Sequence, residues 1–333
     1  MPAMDSRIAH GVSVAVVLPC FNEELTVANT IEDFAAALPA AEIYVIDNNS
    51  TDRTAEMAEA ASAHVRHESR RGKGNAVRRA FADIEADVYV MADGDGTYDP
   101  AAAGQMIETL LRDHLDMVTG CRLHSDPSAY RVGHVFGNRL FNGIVNLLFG
   151  ERVRDLFSGY RVLSRRFVKS FPAVSTGFEI EAEMSIHALQ LRLPHSEQAC
   201  NYRSRSIGSH SKLNTVRDGT RILLQVLRLL RLCRPRTFFG SISLVVCFMS
   251  IAFGVPVVVT FIETGLVPRL PMAILATGLG LLGALFWLLG LILESVSQLT
   301  IDVRRLSYLE HTPSAGAIHT LEGARVSGRV QVR

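Results

Sequence analysis

The sequence predicts an α/β domain built on a mainly parallel sheet, followed by an amphipathic helix and two transmembrane helices. Three observations carry this. Apolar strand-like runs alternate with helix-like stretches over the first two hundred residues. Polar clusters stand at the ends of three of those runs. Two runs without a charged residue, 238–262 and 270–293, lie near the carboxyl end.

The elements follow in order. SVAVVLP reads as a buried strand and EELTVANTIEDFAAAL as an amphipathic helix. EIYVID is the next strand, STDRTAEMAEAAS the next helix, and VYVMAD a further strand that ends in a carboxylate. Strands alternating with helices imply a parallel sheet covered by helices, a Rossmann-like arrangement. Ligands of such sheets bind beyond the carboxyl ends of the strands. Cys20-Phe21-Asn22-Glu23, Asp47-Asn48-Asn49 and Asp93-Gly94-Asp95 fall at those ends.

Residues 203–236 are rich in Arg, with Asp218 the one acid. Leu223, Val226, Leu227 and Leu230 form an apolar stripe at helical spacing. Arg221, Arg228 and Arg231 occupy other faces, which suits an anionic membrane surface. At about 1.5 Å per residue, each charge-free run exceeds a hydrocarbon core of about 30 Å. The connector ETGLVPRL is short, so the two spans form a hairpin. Arg234 and Arg236 precede the first span and Arg304 and Arg305 follow the second, against Arg269 alone in the connector. The positive-inside rule then places both ends in the cytoplasm. Pro256 is expected to kink the first span. The organisation expected is a flexible 1–11, a catalytic-type domain over 12–211, an amphipathic helix over 212–236, a hairpin over 237–294 and a cytoplasmic segment over 295–333 with a disordered tail.

Composition narrows the function. The formal net charge is +1, so a general nucleic-acid role has no support. The cysteines at 20, 121, 200, 233 and 247 are odd in number and form no CxxC pair, which argues against a disulfide framework or zinc site. The amino terminus has no basic stretch followed by an apolar one, so no signal peptide is expected. His124, His134 and His210 have no metal-ligand spacing and read as surface or polar-network residues.

Asp93-Gly94-Asp95 is the sharpest feature. Hard divalent cations take oxygen ligands, and Mg²⁺ is commonly held by one or two carboxylates plus substrate phosphates. A glycine between two aspartates is also a common turn; the strand before it and the matching clusters favour a Mg²⁺ or Mn²⁺ site on Asp93 and Asp95. Asp47 or Asn48 is placed to hydrogen-bond a nucleoside, with Ser50 placed to cap the following helix. Arg71-Gly72-Lys73-Gly74-Asn75 sets cations beside two glycines ahead of a helix, an arrangement for phosphate that is not a P-loop.

VVLPCFNEE, VIDNNSTD, RGKGNAVRRAF, ADGDGTYDP, LFSGYRVLSRR, GFEIEAEM and GSHSKL occur in the order seen in family 2 glycosyltransferases of the GT-A fold. The chain resembles most the polyprenyl-phosphate glycosyltransferases, which include dolichol-phosphate mannose synthase. The likeness covers roughly 12–305. It implies an inverting, metal-dependent transfer from a nucleotide-diphosphate sugar to a polyprenyl phosphate at the cytoplasmic face of the cell's inner membrane, by a multi-pass enzyme compatible with a homo-oligomer. Pro19, Phe21 and Glu23 would line the nucleoside pocket with Asp47. Asp95 would be the direct metal ligand bridging to the donor diphosphate, with Asp93 and Gly94 completing the motif. Arg122 and Arg131 would meet the lipid phosphate. Ser158-Gly159-Tyr160-Arg161 and 179–183 would shape the sugar end. Arg205, with Ser211 and Lys212, would close over the donor phosphates.

The pattern departs from the family twice. Asn48 stands where many relatives have a second Asp that reads the base. The segment Arg205 to Lys212 carries one extra residue. A processive polysaccharide synthase is a rival, but the one Trp, Trp287, lies in the second span and no QxxRW motif exists. A sugar nucleotidyltransferase would need a Gly-rich amino-terminal signature that is missing here. A non-catalytic membrane scaffold is the reading from a different class, and the intact acidic motif and cations weigh against it.

Overall fold

The computed structural model describes residues 12–123, 142–143, 145–146, 149–150, 153–202, 230–231 and 234–312. Most of the expected amphipathic helix, the acceptor loop around Arg131 and the segment carrying Arg205 and Lys212 lie outside the described residues.

The chain divides into two compact units, 1–212 with 304–333, and 213–303. The first holds a seven-stranded sheet in the order β3-β2-β1-β4-β6-β5-β7. The strands are β1 (Val14–Cys20), β2 (Glu42–Asp47), β3 (His64–His67), β4 (Val88–Met91), β5 (Met117–Leu123), β6 (Arg161–Ser164) and β7 (His195–Asn201). Only β6 runs antiparallel to its neighbours, so the sheet is mixed but mainly parallel. The helices of this unit are α1 (Val27–Ala37), α2 (Thr54–Ala60), α3 (Lys73–Asp83), α4 (Ala101–Arg112), α5 (Arg165–Ser170) and α6 (Glu179–Leu191). The central strands are apolar throughout because helices cover both faces. Val16, Leu18, Val88 and Val90 bury into the cluster formed with Ile31 and Phe34 of α1 and Met106 and Leu110 of α4. On the opposite face Tyr89 meets Phe81 of α3, which meets Phe171. Each such fully buried side chain contributes about 1.5–3 kcal/mol.

Asp116, fully buried, accepts from Ser164 Oγ at 2.7 Å and from Arg166 Nε at 2.6 Å. It also accepts from the Tyr308 hydroxyl at 2.8 Å, while the Arg166 guanidinium lies 4.9 Å from the Tyr308 ring. A buried carboxylate with a charged partner and three donors is satisfied rather than stranded.

The second unit contains α7 (Pro235–Thr264) and the apolar part of α8 (Leu270–Glu310). Both are long and apolar enough to cross a membrane. Only 6% of the apolar window of α7 and 11% of that of α8 is buried within the chain. A core helix of a soluble domain would be mostly buried, so that explanation fails. The two helices meet along small residues. Ser243 Oγ donates to Gly283 O and Ser250 Oγ to Ala276 O, both at 2.7 Å. A Cβ on Gly283 would stand 2.4 Å from Cys247 Sγ. α7 continues as one helix through Pro256, and Thr260 Oγ1 donates to the Pro256 carbonyl at 2.8 Å.

His187 is buried against Phe167 and Phe171, and burial, aided by Arg304, pushes its pKa down to about 3. The unfolded chain therefore takes up this proton first, near the ordinary value of 6.5. Stability is intact above that pH and falls toward 3, with a limiting slope of about 1.4 kcal/mol per pH unit from this group. Thermal midpoints measured between pH 7 and 5 should fall less steeply in His187→Gln than in the native chain; parallel curves would refute the assignment. Gly94 leaves no room for a side chain, since its Cβ would stand 2.3 Å from Cys20 Sγ. Gly94→Ala should cost about 1–3 kcal/mol in denaturant unfolding, and adding Cys20→Ala should return most of it.

Candidate active site

The parallel register aligns the carboxyl ends of β1 and β2, pairing Cys20 with Asp47, and β4 lies on the other side of β1. The strand order therefore reverses between β1 and β4, which is where ligands of open α/β sheets bind. Asn22 and Asn49 turn the chain there with φ of 57° and 60°, left-handed values that Asn tolerates better than most residues. The loops after β1 and β2 are tied together. Ser50 Oγ accepts from Asn22 N at 3.0 Å, Asn22 Oδ1 accepts from Thr51 N at 2.8 Å, and Thr54 Oγ1 accepts from Glu23 N at 2.8 Å. Ser50 thus braces the β1 loop instead of capping α2, whose entry is closed by Asp52 on Thr54 N at 3.0 Å.

Asp47 is buried; one carboxylate oxygen lies 3.2 Å from His67 Nδ1 and the other accepts from Ser50 N at 3.2 Å. The Asn48 amide is committed to the 68–72 loop, donating to Arg70 O at 2.7 Å and accepting from Gly72 N at 2.6 Å. Asn48 therefore holds that loop against the end of β2, which its carboxamide can do because it donates and accepts at once. Pro19 pairs with Ile46 one step before the end of β1. Phe21 is 43% exposed, with the Arg71 guanidinium 5.2 Å from its ring, so it offers an apolar face beside a cation. The Glu23 carboxylate accepts from Thr26 Oγ1 at 3.0 Å.

Lys73, the first residue of α3, was expected to face phosphate. Its ammonium is instead buried between Asp93 and Glu181, reaching Glu181 Oε1 at 2.5 Å. Burial alone would lower its pKa; Asp93 and Glu181 outweigh that and hold it charged, above the ordinary lysine range. Burial pushes Glu181 upward against the pull of Lys73. Asp93 thus has a protein cation for partner. Asp95 Oδ1 accepts from Thr97 Oγ1 at 2.6 Å and from Thr97 N at 3.2 Å, which orients its carboxylate. The Gly94 carbonyl is held by Thr26 Oγ1 at 3.1 Å and Thr30 Oγ1 at 3.3 Å.

Arg122 is gripped on two sides by Asp155, Nε to Oδ2 and Nη2 to Oδ1, both at 2.8 Å, and its guanidinium lies 5.7 Å from the Tyr202 ring. A fork-to-fork pair of this kind is strong and directional. It locks the end of β5 to the turn before β6, so the Arg122 charge expected for an acceptor phosphate is matched by a carboxylate. Arg131, Arg205 and Lys212 lie outside the described residues.

Four residues, three of them in the 158–161 and 179–183 segments expected at the sugar end, have partners that no local pattern announced. Glu181 meets Lys73 across 108 positions of sequence. Tyr98 accepts from Gly159 N at 2.9 Å, and burial with Asp93 raises its phenol pKa, so it stays protonated. A Cβ on Gly159 would stand 2.9 Å from both Asp93 Oδ2 and Lys73 Nζ, so only glycine lets that turn close over the ion pair. Arg161, fully buried, donates to the carbonyls of Ser158, Leu156 and Glu181 and so moulds the same turn.

Among the described residues no group of three or more His, Cys, Asp or Glu gathers as a metal cage. The oxygen donors present at Asp93 and Asp95 suit a hard cation that takes its remaining ligands from phosphate and water.

Residues 15–171 match the family model for glycosyl transferase family 2. Glycosyltransferase AglJ of Haloferax volcanii is 33% identical over 295 residues, covering 88% of this chain and 95% of AglJ. Protein RfbJ of Shigella flexneri is 51% identical over 126 residues, 38% of this chain and 98% of RfbJ. Among solved structures, the glucosyl-3-phosphoglycerate synthase of Mycobacterium tuberculosis in complex with Mn²⁺ and UDP-glucose has a TM-score of 0.55 at 24% identity, covering 68% of this chain and 81% of that one. That likeness speaks to the fold, which is the GT-A arrangement expected from the motifs. An AglJ match over nearly the full length, on a sheet whose strand order sets the acidic motif at the switch point, makes this chain a member of glycosyltransferase family 2.

Proposed function

We propose that the chain transfers a hexosyl group from a nucleoside diphosphate sugar to the phosphate of a polyprenyl lipid at the cytoplasmic face of a membrane. The observation that carries this reading is one chain holding both a family 2 transferase unit and two long apolar helices that the chain itself leaves uncovered. An enzyme with a water-soluble acceptor has no need of such a hairpin, whereas a lipid acceptor keeps its phosphate at the membrane surface.

A divalent cation, Mg²⁺ or Mn²⁺, when bound would supply Lewis-acid neutralisation of the departing diphosphate. Asp95 would hold it, with its carboxylate oriented by Thr97. Asp93, fixed by Lys73, would keep the 93–95 turn in place. Phe21 and Asp47 would bound the nucleoside pocket, with Pro19 and Glu23 beside them. The 158–160 turn and Glu181 would floor the sugar end.

A phosphate acceptor with a second pKa of about 6 is largely ionised at pH 7. It needs no general base; it needs cations that let two anions approach. Arg131, Arg205 and Lys212 are the proposed cations, by resemblance. Arg122, matched by Asp155, is proposed to hold the loop base. Direct displacement by the acceptor oxygen inverts the anomeric carbon.

The decisive experiment supplies membranes containing the protein with labelled UDP- and GDP-sugars and three acceptors in parallel: undecaprenyl phosphate, 3-phosphoglycerate and none. A labelled lipid that releases its sugar in mild acid is expected. Transfer to 3-phosphoglycerate with none to the lipid would sink the acceptor assignment. Asp95→Asn should lower lipid transfer on the order of 100-fold while the thermal midpoint stays in place. Transfer at near-native rate would remove Asp95 from the metal site.

A further inference from the structure

The second unit has a recess of its own at the amino-terminal end of α7. It is a cavity of about 480 Å³ lined by Arg234, Arg236, Thr237, Gly240, Trp287 and Glu294. Arg234 and Arg236 stand just before the first charge-free run, and Glu294 just after the second. The recess therefore marks the level at which both apolar runs give way to charge, the level of lipid phosphates in a bilayer. Trp287 lies two turns of α8 inside Glu294, where an indole suits the interface between chains and headgroups.

The lining is arranged for a phosphate. The Arg236 guanidinium lies 5.9 Å from the Trp287 ring, a contact that steadies a long side chain at the rim. Glu294 Oε2 accepts from Arg236 N at 3.4 Å, and Thr237 Oγ1 donates to Arg234 O at 2.8 Å. Pro235 opens α7, so the positive end of a 30-residue helix points into the same region. Gly240 widens the recess toward the apolar side, since its Cβ would stand 3.4 Å from the Trp287 ring. Two guanidinium groups and one carboxylate leave a net charge of +1 on the lining (2 − 1). One positive charge matches a phosphodiester, which carries a single negative charge. The carboxylate matches a headgroup with hydroxyl donors.

The geometry points to a phospholipid site: the recess binds the phosphodiester of an anionic membrane lipid with a hydroxyl-bearing headgroup, its phosphate on Arg234 and Arg236 and its acyl chain along Gly240 and Trp287. The site is built wholly from residues of the hairpin unit. It gives the hairpin a fixed depth in the bilayer by tying one lipid phosphate to it.

The inference rests on the hairpin lying in a membrane, and carbonate extraction of membranes tests that first. Protein released by carbonate refutes the membrane reading; protein retained isolates the lipid question. The full chain, purified in detergent, is then titrated with phosphatidylglycerol, phosphatidylcholine and undecaprenyl phosphate and read by native mass spectrometry. Two variants are compared, Arg234→Gln with Arg236→Gln, which removes charge, and Gly240→Leu, which fills the recess. Thr237→Leu replaces the latter if it does not fold by circular dichroism. Phosphatidylglycerol should bind the native chain in preference to phosphatidylcholine, and both variants should lose that binding by roughly tenfold or more. Equal binding of phosphatidylcholine, loss in only one variant or in neither, or stronger binding of undecaprenyl phosphate that both variants abolish, overturns it.

Discussion

The Lys73 ammonium, enclosed by Asp93 and Glu181, is the contact on which the transferase unit's site depends. It joins the first residue of α3, the second residue beyond β4 and the first turn of α6. Taking one of the three charges away strands the others in a poorly solvated place, which typically costs several kcal/mol. The geometry around it follows. Gly159 has to lack a side chain because the turn it sits in closes within 2.9 Å of both ions. Gly72 and Gly74 have to lack one because the backbone of Ser175 and Thr176 crosses them, 2.1 Å from where their Cβ atoms would be. Arg78 and Glu183 pin that crossing segment from both sides through its carbonyls and amides. The two aspartates of the acidic motif thus have different partners: Asp93 meets the Lys73 ammonium, and Asp95 is braced by Thr97.

The hairpin obeys a different constraint. Helices long and apolar enough to cross a membrane gain no hydrophobic drive toward each other from lipid, so close backbone approach and polar contacts are what can hold such a pair. Ala276, Gly283 and Gly290 recur every seven residues on α8 and are its buried positions. A seven-residue repeat keeps one seam facing the partner helix. The serine hydroxyls of α7 reach carbonyls across that seam. Bulk on either side would separate the helices and leave those hydroxyls without acceptors.

Much of this was legible in advance. Unbroken apolar runs such as VAVVLPC and VYVM could only be strands covered on both faces, and the polar residues after them had to lie on one edge. The charge-free runs could only be long helices. The partners of Lys73 were not legible, for a definite reason. A cation beside two glycines ahead of a helix looks like a phosphate grip, and nothing near it in sequence reveals a carboxylate waiting 108 positions away. The partner of Arg122 was hidden in the same way, since Asp155 meets it only when β5 and the turn before β6 come together. Asn48 stands where many relatives have a base-reading Asp, and nothing beside it in sequence shows that the carbonyl of Arg70 and the amide of Gly72 hold its amide.

The sequence by itself determined the alternation of elements, the edge of the sheet that carries chemistry, the acidic motif and the two apolar helices. These depend on local periodicity and on residue type, which a single strand or helix displays. Tertiary structure alone decided the antiparallel place of β6, the enclosure of Lys73, the neutralisation of Arg122 and the recess between Arg236 and Trp287. Those depend on which distant side chains share a low-dielectric space, where a charge must find its partner, and no local pattern encodes that meeting.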